Sequence, residues 1–276
     1  MLTSINNEET YMLDNYSACQ VVLTGAPAVP SDHPITVSSG WNWIGYPCTN
    51  TMSVAEAFSG YTPSNGDQVK SQSDYAMYYG GMWIGQLQNI VPGTGLMYKS
   101  NSPTTNTLVY PDGGRSTEMT TSPRATHWTN DIHAYPNNMT VMAVVELDEK
   151  ELSSDSYELA AFDANGECRG RVRLMYVEPI DRHVAFLTVS GKDAAVLSFR
   201  LYDTETGTEY YDANENLNFT TNAVVGDADD LYTIHFRGTT GMDELASSVK
   251  VYPNPVNRGE QFSIGMTDNG MKAVRV

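Results

Sequence analysis

The sequence predicts a mainly β protein. A small module rich in glycine and aromatic residues, with one short helix, is followed by an antiparallel β-sandwich and the start of a further β unit. Three observations carry this. Short apolar or alternating runs bounded by Gly, Pro, Asn and Asp recur along the chain, which is the pattern of strands joined by turns. Sustained 3.6-residue periodicity is nearly absent. Tyrosine occurs 17 times against 7 phenylalanines, which suits sheet faces where the ring packs and the hydroxyl stays wet.

In chain order, residues 1–34 hold one short β-like run at 19–23 and a Pro-rich joint, and read as the tail of an upstream unit with its linker. The first module spans 35–123, with strands expected at 35–37, 41–46, 67–71, 75–79, 82–85, 96–99 and 108–110. Its single helix is expected at 53–58, where Ser53 is a good N-cap and Glu56 follows at the capping-box spacing, with Gly60 placed to close it. Residues 91–95 (Val-Pro-Gly-Thr-Gly) read as a turn. The Thr/Ser/Pro/Gly-rich stretch 100–126 holds one strand and then a linker.

The second module spans 127–237, and its strand spacing is that of a sandwich. Strands are expected at 139–146, 157–162, 167–176, 184–189, 196–202, 208–211, 217–219 and 231–236. Asp163-Ala164-Asn165-Gly166 joins two of them as a hairpin, since Asn and Gly both tolerate positive φ. In the run 196–202, Leu197, Phe199 and Leu201 fall on one face, and Ser198 and Arg200 on the other. Residues 238–248 are a linker, and 249–276 begin a third unit too short to fold well alone.

At 276 residues the chain can hold two compact domains with extensions. Its formal charge of −17, from 33 acids and 16 bases, would repel nucleic acid and anionic membranes, because both need basic patches for affinity. No run approaches the roughly 20 apolar residues of a membrane span. The first residues lack the basic start and apolar stretch of a signal peptide, so secretion requires that the true N-terminus lie upstream. Of the three cysteines, Cys19 and Cys48 are a candidate pair worth about 3–4 kcal/mol on the loop-entropy account. Cys168 reads as a small buried hydrophobe.

Near the C-terminus, Gly241-Met242-Asp243-Glu244-Leu245 precedes Val249-Lys250-Val251-Tyr252-Pro253-Asn254-Pro255-Val256. This resembles the opening of the C-terminal sorting domain of the Bacteroidetes type IX secretion system. The core of the match is Val251, Tyr252, Pro253, Asn254 and Pro255. A first strand ending at Tyr252 and two prolines that forbid further ladder pairing give it a physical logic. Phe262-Ser263-Ile264 fits the family's next strand, and the family's domain normally runs beyond Val276, so 249–276 are expected to be a truncated sorting domain. The first module, through Gly40-Trp41-Asn42-Trp43-Ile44-Gly45-Tyr46-Pro47 and the runs 66–72 and 92–100, resembles a module common in large secreted proteins of that phylum. The second, through Ala161-Phe162, the runs 167–170 and 186–189, and Phe199-Arg200-Leu201-Tyr202-Asp203, resembles the module that often follows it. These resemblances imply a secreted, outer-membrane-surface protein with the type IX machinery as partner. They imply no established activity.

Candidates for chemistry are few. No HExxH helix or G-x-S-x-G elbow occurs, so no catalytic residue is assigned and no cofactor is expected. His127 and His133 flank Asp131 in what reads as a solvated strand entry or a metal site. Asp163 and Asn165, and Asp227 and Asp229, offer clustered oxygens on turns as weak calcium candidates. Trp41 and Trp43 alternate on one strand, and Trp83 and Tyr75 lie on later ones. They either stack on sugar rings or fill the core of a module short of aliphatics. The expectation is a noncatalytic, surface-displayed structural or adhesive protein with a glycan or protein ligand. The alternative is an accessory, carbohydrate-binding region of a secreted hydrolase.

Overall fold

The computed structural model describes residues 5–13, 17, 20, 22, 25–113, 126–192, 194–211, 213–238, 249–252 and 263–266. The chain is mainly β, with antiparallel sheets and 43% of residues in strands. The first module contains β1 (Ile35–Val37), β2 (Gly40–Ile44), β3 (Met52–Ser53), α1 (Val54–Ala57), β4 (Gln68–Lys70), β5 (Tyr75–Tyr79), β6 (Met82–Gly85), β7 (Asn89–Ile90), β8 (Leu96–Ser100) and β9 (Asn106–Leu108). Its main sheet runs β2-β8-β4-β5-β6, beside the two-stranded pairs β1-β9 and β3-β7.

The helix starts where its cap dictates. Ser53 is extended, and its hydroxyl accepts the amide of Glu56 at 3.1 Å. Phe58 ends it, and Gly60 does not close it through a left-handed residue. What Gly60 provides is a close approach: a Cβ there would sit 2.9 Å from the carbonyl oxygen of Val109. The strand expected at 108–110 ends at Leu108, because Tyr110 leaves the ladder to bury its ring against Tyr46 and Phe58, 5.2 and 6.0 Å away between centroids.

The second module contains β10 (Asn137–Leu147), β11 (Lys150–Glu151), β12 (Tyr157–Phe162), β13 (Cys168–Arg173), β14 (Met175–Val177), β15 (Arg182–Gly191), β16 (Val196–Asp203), β17 (Thr208–Tyr210), β18 (Asn216–Asn218), β19 (Val224–Val225) and β20 (Tyr232–Phe236). One sheet runs β11-β10-β15-β14, with β19 and β20 pairing in parallel onto β10. The other runs β13-β12-β16-β17, with β18 on β16. The strand expected at 167–176 divides at Leu174, where the chain passes from one sheet to the other; the Leu174 amide donates to Tyr157 O at 3.0 Å. The turn is a three-residue loop, 164–166, between Asp163 and Glu167, and in it only Gly166 is left-handed (φ 78°); Asn165 is not. The Gly166 amide donates to Asp163 O at 2.9 Å, and the Asp163 amide to Glu167 O at 3.1 Å.

The two sheets enclose one core from Met139, Val141, Ala143, Val145, Leu187, Leu197, Phe199 and Leu201. The other face of β10 and β15 is covered along most of its length, with only end positions such as Glu146 and Arg182 reaching solvent. Met142, Val144, Val184 and Phe186 pack there against Tyr75, Met77 and Ile84 of the first module. The first module's sheet is likewise covered on its far side, where Ile44, Val69, Ala76, Leu96 and Tyr98 meet Val54, Phe58, Tyr61 and Tyr110. Three sheets therefore stack through two apolar layers, and a third apolar layer lies outside the first sheet. At roughly 1.5–3 kcal/mol per large apolar side chain removed from water, the inter-module layer resists separation of the modules.

Beyond these, β21 (Val249–Tyr252) and β22 (Ser263–Met266) pair antiparallel, with Val251 opposite Ile264. Pro253, Asn254 and Pro255 lie outside the described residues, as does Cys19. Cys48 is a buried free thiol. No helix among the described residues is long and apolar enough to cross a membrane.

Candidate ligand cleft between the modules

The structure divides the aromatic candidates between opposite faces of the first sheet. Trp83 lies on the outer face with Phe58, Tyr78 and Tyr98 at 5.2, 5.4 and 6.3 Å, a core position. Tyr75 faces the second module and is fully buried, its hydroxyl donating to Val141 O at 3.0 Å. A ligand cannot stack on it, which corrects its place among the stacking candidates. Trp41 and Trp43 do share a face, as strand alternation requires. Trp41 is an anchor, its indole N–H donating to Asn222 O at 3.0 Å. Trp43 is 44% exposed.

The calcium candidates are committed to holding turns. Asp163 Oδ2 accepts from Arg169 Nε and Nη2 at 3.0 and 2.9 Å, and Oδ1 accepts the amides of Asn165 and Glu167. Burial would raise this carboxyl's pKa, but those amides and the guanidinium outweigh it and hold it below the ordinary value. Asp227 Oδ1 accepts the amides of Asp229 and Asp230, and Asp229 Oδ1 accepts the Tyr79 hydroxyl at 2.7 Å. His127 stacks on Tyr202 at 3.8 Å and reaches Glu209 through Nε2, while His133 donates its amide to Asp131. Among the described residues no three His, Cys, Asp or Glu side chains group as metal ligands.

A cleft opens where the two modules meet, with a volume of about 400 Å³. Trp43, Met97 and Lys70 line it from the first sheet; Gln72, Asn138 and Asn222 line it at the junction. The register explains the first three. Trp43 is opposite Met97, and Met97 is opposite Lys70, so the three stand in a row on one face of β2, β8 and β4. The 10–13 segment forms part of the wall. It is fixed by Thr10, whose hydroxyl donates to Ile44 O at 2.7 Å and accepts the Leu96 amide at 3.2 Å.

Lys70 is 1% exposed. Its Nζ donates to Asn222 Oδ1 at 2.8 Å and to Asn138 O at 3.4 Å, and lies 4.3 Å from the centre of the Trp41 ring. Among the described residues it has no carboxylate partner, and burial lowers its pKa to about 8. Asn222 adopts the left-handed region (φ 61°), which asparagine tolerates better than most side-chain-bearing residues. A second, more polar hollow of about 410 Å³ shares Gln72, Ser73 and Ile132 with the cleft and adds Asp74, Asn130, Arg171, Thr188 and Ser190.

Lys70 lies in the run 66–72 that carries the module resemblance, but nothing in the sequence marks Lys70, Asn138 or Asn222 as members of a site. Gln68 and Lys70 flank Val69 on a strand, and that alternation reads as a solvated face. Only the arrival of the second module buries it. Comparison of the chain with protein-family models, curated proteins and solved structures returns no match.

Proposed function

We propose that this chain is a noncatalytic structural and adhesive part of a secreted protein displayed at the bacterial outer-membrane surface and brought there by type IX machinery acting on its C-terminal signal. The observation that carries the reading is the fusion of the two modules. Tyr75, Met77 and Ile84 share a core with Met142, Val144 and Phe186, which makes a stiff spacer with a concave surface at the junction. The pairing of β21 with β22 supports the sorting-domain resemblance, in which a first strand ends at Tyr252 and the next lies near Ile264.

Beads coated with the purified chain should be retained under flow on surfaces bearing polysaccharide or matrix protein, without depolymerising either. Beads that wash off every surface, or measurable turnover of the polymer, would sink the proposal. The exposed indole of Trp43 at the cleft favours a second reading, an accessory binding region of a secreted hydrolase. A nucleophile or metal signature encoded elsewhere in the same polypeptide would select that reading.

A further inference from the structure

We infer that the cleft between the modules is a glycan site that takes a hexuronate, a pyranose bearing a carboxylate, with the ring on Trp43 and the carboxylate directed toward Lys70. The inference rests on the adhesive reading and gives it a ligand.

The first support is the contrast between two tryptophans on one strand. Trp41 is tied down by its hydrogen bond to Asn222 O, whereas Trp43, paired with Met97, is 44% exposed overall and is one of the residues lining the cleft. An open indole face is a flat apolar platform, and the C–H face of a pyranose matches it in shape and polarity.

The second support is charge. The protein carries 33 acids and a net charge of −17, yet no Asp or Glu is among the described residues that line the cleft. The one charged group there is Lys70. Two of its three N–H donors are engaged, both by neutral oxygens. A carboxylate in this cleft meets no acidic side chain among the described lining residues and gains a cation with no carboxylate partner among them. The amide nitrogen of Asn222 has no partner among the described residues, since that side chain uses its oxygen on Lys70, and it can donate to the same carboxylate or to a ring hydroxyl.

The third support is spacing. Trp43 and Lys70 are two strands apart on one face with Met97 between them, about 10 Å at the usual inter-strand distance. That is a backbone separation, and the Lys70 Nζ, 4.3 Å from the centre of the Trp41 ring, and a carboxylated ring on the Trp43 indole approach each other across it. The volume of about 400 Å³ falls in the range of small-ligand sites, roughly 300–1,000 Å³. A phosphate ligand would call for several cations or a nest of backbone amides, and an extended peptide would call for a free sheet edge. β2 ends the sheet, but the N-terminal segment lies against it, with the Gly45 amide donating to Glu8 O and the Thr10 hydroxyl to Ile44 O; what the cleft offers is a sheet face with a single cation, so a sugar acid fits best.

The test is a titration of the full chain, followed by tryptophan fluorescence and calorimetry, with oligomers of galacturonate, glucuronate and mannuronate, each beside its methyl ester. The free acid of at least one should bind saturably and about tenfold or more tighter than its ester, a difference that shrinks with added salt. Trp43→Ala, at an exposed position, should keep the native circular dichroism and lose about tenfold or more in affinity for acid and ester alike. Lys70→Met should bring acid and ester to equal affinity. Asn222→Ala should weaken the acid if Lys70→Met fails to fold. No binding by any of the three acids, equal binding of acid and ester, or full binding by Trp43→Ala overturns the inference. Bead retention separates the two levels. Beads that still adhere without uronate binding leave the adhesive reading standing with another ligand, a peptide among them; beads that never adhere remove both.

Discussion

Lys70 occupies an environment that lysine rarely takes. Its ammonium is buried beside amides and an indole with no carboxylate partner among the described residues, and its pKa falls to about 8. The same group in the unfolded chain titrates near ~10.4. Between those values the unfolded chain holds the extra proton, so stability contributed at this site rises with pH across the window, by on the order of 3 kcal/mol. Lys70→Met removes that dependence. Urea denaturation at pH 7 and at pH 10 should therefore show the wild type gaining on the variant at the higher pH. The buried hydroxyls of Tyr75 and Tyr110, whose pKa values burial raises, act in the opposite sense but equally in both proteins. A stability difference independent of pH would mean that Lys70 is as well solvated in the fold as outside it. Ser53 offers a simpler case. Its hydroxyl caps α1 through the Glu56 amide, and Ser53→Ala should cost about 1 kcal/mol, read from the same denaturation curves.

At the scale of elements, most strands were legible because period-2 alternation and turn residues act locally. The run from Val196 to Asp203 buries Leu197, Phe199 and Leu201 as its alternation requires, and the Ser53–Glu56 spacing placed the helix. The elements read incorrectly were decided by distant partners. The single run at 167–176 divides because its halves belong to different sheets. Its Gly170 shows how tight that crossing is: a Cβ there would lie 2.1 Å from the carbonyl oxygen of Thr188 on β15. Gly170→Ala must push β13 off β15 and should destabilise by roughly 2–3 kcal/mol. Gly81, a turn glycine at φ 89° with open space around it, should cost only about 1 kcal/mol when changed to Ala, from backbone strain alone. Thermal melts of the two variants give the comparison. If Gly81→Ala proves the more damaging, the close approach of β13 and β15 is not what the glycine protects.

At the scale of the molecule, the candidate site was legible only in Trp43; its polar members were not, for the same reason that the modules' union was not. The polar members of the inter-module faces, Gln68, Lys70, Asn138 and Thr140, occupy alternate strand positions, where a sequence suggests water. In the fold they are nearly fully buried, and Thr140 donates to Gln68 Oε1 at 3.2 Å across the junction. The one available hint was the strand Asn137–Leu147, whose segment from Met139 to Val145 is apolar except for Thr140 and buried on both faces. A strand of a two-sheet sandwich with one wet face alternates; a middle layer does not. The consequence is mechanical. With Phe186 and Met142 locked against Tyr75, Met77 and Ile84, neither module can unfold without exposing an apolar face of the other, so the pair should melt as one cooperative unit. Calorimetry of the wild type should give one transition for the two modules, followed equally by Trp83 in the first and Trp128 in the second. Phe186→Ala empties the centre of the shared layer, 5.6 Å from the Tyr75 ring, and should cost about 3–5 kcal/mol. If the layer provides the coupling, the variant's transition should broaden or divide, with the Trp83 and Trp128 signals separating in temperature. Two well-separated transitions already present in the wild type would show instead that the modules fold independently and only rest against each other, and the stiff spacer would lose its physical basis.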